Sequence, residues 1–281
     1  MSEVQWNRLT AAELRELAAR DAVVLLPVGA TEQHGPHLPT GVDDFLASEV
    51  CGRAAALASG HTGVVVTPSV PIGLSEHHMP FGGTLTLGLP TLHALLRDIC
   101  RSVTRAGFSR ILIVNGHGGN MTALNALTTE LTVELGTPIA FASYFGAGRE
   151  AVRDALEAQD GLMHACEGET SMMMAVFPEL IRTEHLPEAH GPRIVLPAES
   201  TEPVFMAVTF DRVTGSGVAG DARTASPEKG ERLLSGCARA LADIIVRDPW
   251  TKDEAGAGAG AGAWAGAGAG ARAGIGAPTT R

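Results

Sequence analysis

Between positions 29 and 44 the chain carries Glu32, His34, His37, Asp43 and Asp44 among glycines, prolines and threonines, with no lysine or arginine. Imidazole nitrogen and carboxylate oxygen are the donors that hold a borderline-hard divalent metal. A loop built only for solubility would be richer in Ser, Asn and Lys. Two further stretches carry donors of the same kind: Asn115-Gly116-His117-Gly118-Gly119-Asn120, and His164 followed by Glu167 and Glu169. Each alone is a weak signal, because a single histidine after a strand is more often a hydrogen-bonded or capping residue. Together they point to one metal centre if the fold brings them to one place. The glycines around His117 let backbone come close to a ligand or to another loop. As a phosphate cradle they are weak, lacking the Lys-Ser/Thr of a P-loop and the spacing of a dinucleotide fingerprint.

The elements around these stretches are expected to do the positioning. Val23-Val24-Leu25-Leu26-Pro27-Val28 reads as a fully buried strand leading into the first cluster. Arg110-Ile111-Leu112-Ile113-Val114 reads as another, leading into His117. Further strands are expected at Val64–Pro68 and Ile139–Ala142. Helices are expected from a capping box at Thr10–Glu13 to about Arg20, from Asp44 to Ala58, Thr91 to Arg105, after Asn120 to Leu135, near 147–158, Thr170 to Phe177, and from a Ser226 cap to Val246. The region 183–222 is expected to be irregular with a short hairpin. Strands alternating with helices predict an α/β fold, three-layer α/β/α with a mostly parallel central sheet. In such sheets the loops leaving the carboxyl ends of the strands build the site, so the clusters should converge.

Other residues are expected to do less. His37 should order its loop rather than bind metal. His77 and His78 lie in a loop, Gly73 to Leu87, that could fold over the site, where substrate contact and a structural role are equally expected. Cys166 as a nucleophile would need a depressed thiol pKa and a paired base. The run Met172-Met173-Met174 reads as helix core, and His61, His93, His185 and His190 as surface or loop residues.

The chain has 281 residues and a formal net charge of −10. No lysine or arginine cluster offsets that charge, which argues against a nucleic-acid partner. The amino terminus lacks a basic-then-apolar leader, and no window is apolar enough to cross a membrane. Cys51, Cys100, Cys166 and Cys237 are scattered without a Cys-x-x-Cys pair, as expected of reduced thiols in a cytoplasmic protein. The folded domain that carries these clusters is expected to span residues 1–250. From 251 to 281 the chain becomes an Ala/Gly-rich low-complexity tail, for which disorder is the expectation.

The motifs also carry a resemblance. Glu32-Gln33-His34-Gly35-Pro36-His37-Leu38-Pro39, with Asp43 eleven residues after the Glu, resembles the creatininase (creatinine amidohydrolase) family. So do Asn115–Asn120, His164-Ala165-Cys166-Glu167-Gly168-Glu169-Thr170-Ser171 and the late stretches 217–221 and 225–230. The resemblance implies an α/β/α domain with a dinuclear metal site, zinc first with manganese or iron as alternatives, one or two ions per chain. It implies a homo-oligomer, a hexamer in creatininase itself. Carried over by motif position, Glu32 and His117 would hold one metal, His34 the other, with Asp43 bridging and His164 transferring protons. Two departures stand out. Gly119 replaces the Glu that binds the second metal in creatininase, and Glu169 is the candidate to supply that carboxylate, against a simpler role in capping a helix. Phe145, and roughly Asp160, stand where creatininase has tryptophans around its substrate, which makes creatinine a poor expectation.

The expected function is therefore metal-dependent hydrolysis of the C–N bond of a small linear or cyclic amide by metal-activated water. A peptide-trimming or deformylating hydrolase of the same family is the alternative, followed by a metal-binding homologue without activity.

Overall fold

In the computed structural model, residues 3–194, 204 and 206–250 are described. The expected disordered tail at 251–281 lies outside the described residues. The strands are Val23–Val28 (β1), Val64–Val66 (β2), Arg110–Asn115 (β3) and Ile139–Ser143 (β4). The helices are Ala11–Ala19 (α1), Val42–Ala58 (α2), Leu89–Arg105 (α3), Met121–Leu135 (α4), Tyr144–Ala147 (α5), Arg149–Ala155 (α6), Glu167–Val176 (α7) and Pro227–Val246 (α8). Local chemistry sets several ends. The Thr10 hydroxyl accepts from the Glu13 amide while the Glu13 carboxylate accepts from that of Thr10, so the capping box forms. The Ser226 side chain accepts from the Lys229 amide, with Pro227 in the first turn of α8.

Among the described residues the strands form one parallel sheet in the order β2-β1-β3-β4, with Val28 opposite Asn115 at the carboxyl ends. Alternate residues of β1 face opposite sides. Val23 and Leu25 pack with Leu46 and Val50 of α2, Met172 of α7 and Leu233 and Leu241 of α8. Val24 and Leu26 pack with Leu92 and Leu96 of α3 and Leu124 and Leu131 of α4. Two cores on one sheet give the expected three-layer α/β/α architecture. From β1 the chain passes to one neighbour, β2, then crosses back to β3 on the other side of β1. The connections after β1 and β3 therefore diverge, leaving a crevice at this switch point.

Three expectations are corrected. The helix near 147–158 is two short helices, α5 and α6, that meet at Gly148. Cys237 of α8 lies so near that a Cβ at Gly148 would come within 2.5 Å of its sulfur, and beyond Ala155 the amides of Glu157 and Ala158 donate to the Glu167 carboxylate instead of extending the helix. Helix α2 starts at Val42 rather than Asp44, α7 at Glu167 rather than Thr170, and β2 stops at Val66 rather than Pro68. The region 183–222 holds no hairpin among its described residues, only a single bridge between His190 and Asp221. No helix among the described residues is long and apolar enough to cross a membrane.

A buried ion pair locks α7 to α8. Lys229 Nζ donates to Glu167 Oε1 at 2.6 Å and to the Thr224 carbonyl at 2.8 Å, and the Glu167 side chain is fully buried. Burial opposes ionisation of Glu167, but Lys229 and two backbone amides hold its carboxyl below the usual range. The Glu167 contribution to stability is thus complete above the unfolded carboxylate value and lost as pH falls through the lower folded one. Replacing Glu167 by Gln leaves the buried lysine without its main counter-charge. It should cost about 3 kcal/mol in urea unfolding at neutral pH, with the difference from wild type shrinking in acid.

Candidate metal centre

The crevice between β1 and β3 is floored by the chain leaving both strands. Glycine is required where α2 meets them. A Cβ at Gly29 would lie 2.6 Å from the Asp44 backbone, and one at Gly116 would lie 2.5 Å from the Asp43 carbonyl oxygen. This close approach seats the first turn of α2 against the strand ends, so that Asp43 faces the loops after β1 and β3. Asn115 and Asn120 tie the loops together. Asn115 Nδ2 donates to the His117 carbonyl at 2.7 Å, Asn120 Nδ2 donates to the Gly29 carbonyl at 3.1 Å, and the Leu74 amide donates to Asn120 Oδ1 at 2.9 Å.

Here the structure brings together all six residues singled out from the sequence. Glu32, His34, Asp43, His117 and Glu169 are buried, and His164 is nearly so. His34 Nε2 lies 3.2 Å from Asp43 Oδ1, and His117 Nδ1 lies 3.0 Å from Asp43 Oδ2. Asp43 thus presents one oxygen to each imidazole. Glu32 Oε1 is 3.3 Å from His117 Nδ1 and 3.4 Å from His164 Nδ1. Glu169 accepts from the Ala165 amide at 2.6 Å through Oε2, aided by the left-handed backbone of Ala165 (φ 53°). Its carboxylate also groups with His34 and Asp43, their ligand atoms lying within 4.8 Å of one another. The amide that Glu169 accepts from precedes the helix, so Glu169 does not cap α7 in the simple sense, and it lies among metal-type donors.

One rule orients the three inner histidines. His34 Nδ1 donates to the Glu32 carbonyl at 3.1 Å, His117 Nε2 to the Leu74 carbonyl at 3.1 Å, and His164 Nε2 to the Gln33 carbonyl at 2.7 Å. A carbonyl can only accept, so the outer nitrogen of each ring carries hydrogen and the inner one faces the carboxylates. Metal-binding histidines are oriented in this way.

The electrostatics fit a cation. Neither oxygen of Glu32 has a hydrogen-bond partner, nor has Asp43 Oδ2 or His34 Nε2. Buried carboxylate oxygens without donors are costly unless a cation compensates them. Without one, protons take its place. Burial alone would lower His34, yet the Asp43 carboxylate raises it to about 9, and burial is likewise overcome at His117, which Glu32 and Asp43 hold well above its ordinary value. Burial pushes Glu169 up to about 8, the Asp43 charge adding to this against His34. His164 is different: burial, then His34 and His78, hold it well below the ordinary value, so it is neutral near pH 7. The donor set of these residues fits a divalent cation.

The remaining candidates fall outside the cluster or around it. His37 donates or accepts at Thr170 Oγ1 (2.7 Å) and ties its loop to α7. The Cys166 thiol is buried and pushed up to about 12 by that burial, which keeps it protonated. Asp160 points wholly into solvent, whereas Phe145 lines a narrow pocket of about 70 Å³ beside the cluster with Leu162, Met163 and Phe210. Sequence reasoning gave no role to Gln33. Its side chain amide donates to the Gly217 carbonyl at 3.0 Å and lies 2.9 Å from both His78 Nδ1 and His164 Nε2. His78, expected in a loop over the site, does lie there: its ring stacks on His164 at 4.3 Å and its Nε2 lies 3.3 Å from Glu32 Oε1. The adjacency of Gln33 to both Glu32 and His34 was the available signal.

Residues 7–245 match the creatininase family, described as creatinine amidohydrolase. The mycofactocin precursor peptide peptidase of Mycolicibacterium smegmatis is 34% identical over 244 residues, covering 86% of this chain and 91% of that protein. The creatinine amidohydrolase of Pseudomonas putida is 30% identical over 269 residues, covering 87% and 95%. Among solved structures, a manganese creatininase aligns with a TM-score of 0.75 at 29% identity, and a zinc–zinc creatininase variant with 0.74 at 29%; each covers 88% of this chain and 98% of its own.

A cation that satisfies the orphaned oxygens should stabilise the fold. Zinc or manganese added to chelator-treated protein at a hundred times its dissociation constant should contribute about 2.7 kcal/mol. That corresponds to a rise in Tm of about 5–10 °C. Asp43→Asn should abolish the rise in a thermal scan, and its metal-free Tm should fall below that of wild type because His34 and His117 lose their counter-charge.

Proposed function

The chain belongs to the creatininase family, and from that premise we propose that it is a divalent-metal hydrolase that cleaves an amide C–N bond. The observation that carries this reading is the buried Glu32 carboxylate, neither oxygen of which has a hydrogen-bond partner, with the inner imidazole nitrogens of His117 and His164 facing its Oε1. Glu32, Asp43 and His117 would hold one ion, and His34, Asp43 and Glu169 a second, so that Glu169 supplies the carboxylate that Gly119 lacks. Zinc is the first choice for this mixed nitrogen and oxygen set, with manganese or iron as alternatives. Bound there, the metal would polarise the scissile carbonyl and acidify the attacking water.

The chain's own residues handle protons and position the reactants. His164 is neutral and its Nε2 hydrogen is committed to the Gln33 carbonyl. Nδ1 is therefore the atom that accepts a proton from the attacking water and returns it to the leaving nitrogen. His78, stacked at 4.3 Å, and Phe210, edge-on at 5.0 Å, keep that ring in plane and shield it from bulk water. Gln33 holds His78 through its side-chain amide and His164 through its backbone carbonyl, from the loop that also supplies Glu32 and His34.

The narrow pocket, apolar on the side of Phe145, Leu162 and Phe210, favours a small amide. Asp160 offers no ring to cover it, which supports a substrate other than creatinine. The 34% identity to a peptide peptidase favours a second reading, removal of a short piece from a peptide end. A panel of cyclic amides, linear amides and short peptides, assayed by amine release with and without chelator, separates the two. Assembly as a homo-oligomer is proposed with the family.

His164→Ala should lower kcat by about 100- to 10,000-fold while metal per chain, read by plasma mass spectrometry, stays at the wild-type value. Loss of metal together with activity would make His164 a ligand instead of a proton carrier.

A further inference from the structure

The loop between β2 and α3 brings one more imidazole to the centre. His77 lies in the 3-10 turn Glu76–Phe81, and its ring is parallel to that of His117 (interplanar angle 17°) with centroids 5.9 Å apart. One ligand atom from each of Glu32, His77 and His117 lies within 4.8 Å of the other two. Among the described residues His77 makes no hydrogen bond, whereas its neighbour His78 is held by Gln33. An imidazole packed beside two metal-type donors and bonded to nothing is a donor in waiting.

Gly119 shows that the placement is built in. A Cβ there would lie 2.4 Å from His117 Nε2, 2.6 Å from the Leu74 carbonyl oxygen and 2.9 Å from His77 Cε1. The space that a side chain at 119 would enter is therefore taken by the His77 and His117 rings and by the carbonyl that orients His117. Two changes go together: a carboxylate reaches the second group from α7 as Glu169, and the vacated position admits His77 to the first.

We propose that His77 is a direct ligand of the cation held by Glu32, Asp43 and His117, which makes the two halves of the centre chemically unequal. This rests on the metal-hydrolase reading above. The half with His77 offers two imidazoles and two carboxylates, while the half with His34 offers one imidazole and two carboxylates. Nitrogen-rich sites favour zinc or iron, and oxygen-rich sites favour manganese. The first half therefore retains zinc while the second exchanges. Because His77 rides on the loop after β2, cation binding at the first half also fixes that loop beside the pocket.

The test is metal titration of the full chain, stripped by chelator, with zinc, manganese and cobalt, read by competition with a chromophoric chelator and by cobalt absorption. Wild type should bind one zinc tightly and a second ion that manganese displaces. His77→Ala should weaken the tight step by more than about 100-fold, beyond the usual loss for an outer-shell partner, and change the cobalt spectrum. His77→Cys, which restores a donor, should recover most of the affinity, and His77→Phe, which restores only the ring, should not. If His77→Ala is folded by circular dichroism yet keeps the tight step and the cobalt spectrum, His77 is not a ligand. If wild type binds no ion at all, the hydrolase reading itself fails.

Discussion

The structure is organised by the burial of three carboxylates in one place. Glu32, Asp43 and Glu169 converge from the end of β1, the start of α2 and the start of α7, and among the described residues none of them pairs with lysine or arginine. Contrast Glu167, two residues before Glu169, which is equally buried but has Lys229 at 2.6 Å and two backbone amides. One carboxylate on α7 is neutralised within the protein and holds helices together. The other is turned toward acids and imidazoles. Stability alone would not select such a cluster, because unpaired buried charge is costly. A bound cation gives it a purpose.

The fold supplies what this cluster needs. A parallel sheet with a switch point between β1 and β3 opens a crevice at adjacent strand ends. Glycines at 29 and 116 let α2 come close enough to deliver Asp43. Backbone carbonyls of Glu32, Gln33 and Leu74 then fix which nitrogen of His34, His164 and His117 faces inward. Carbonyls are rigid acceptors on the same loops that carry the ligands, so the orientation of each ring is set before any ion arrives.

Much of this was legible in the chain, for identifiable reasons. The strands at 23–28 and 110–115 are built on the apolar runs 23–28 and 111–114, and the caps at Thr10 and Ser226 are local hydrogen bonds that a few residues specify. Glu32, His34, Asp43, His117, His164 and Glu169 were visible as donor types following strands or opening helices. The parts that were hidden depend on contacts remote in sequence. Gly148 divides α5 from α6 because of Cys237 on α8. Gln33 acts through residues 45 and 131 positions away. His77 and His78 are adjacent, yet one is anchored and the other is not, a difference made by the 3-10 turn and by Gly119 rather than by residue type.

The central claim is that the carboxylate and imidazole cluster holds metal. Anomalous X-ray scattering from crystals of the zinc-loaded protein, measured on both sides of the zinc edge, tests it most directly. The account predicts peaks on either side of Asp43, one within coordinating reach of Glu32 and His117 and the other of His34 and Glu169, about 3.5–4 Å apart if both are filled. A map with no anomalous peak near Asp43, from protein exposed to excess zinc, would contradict it.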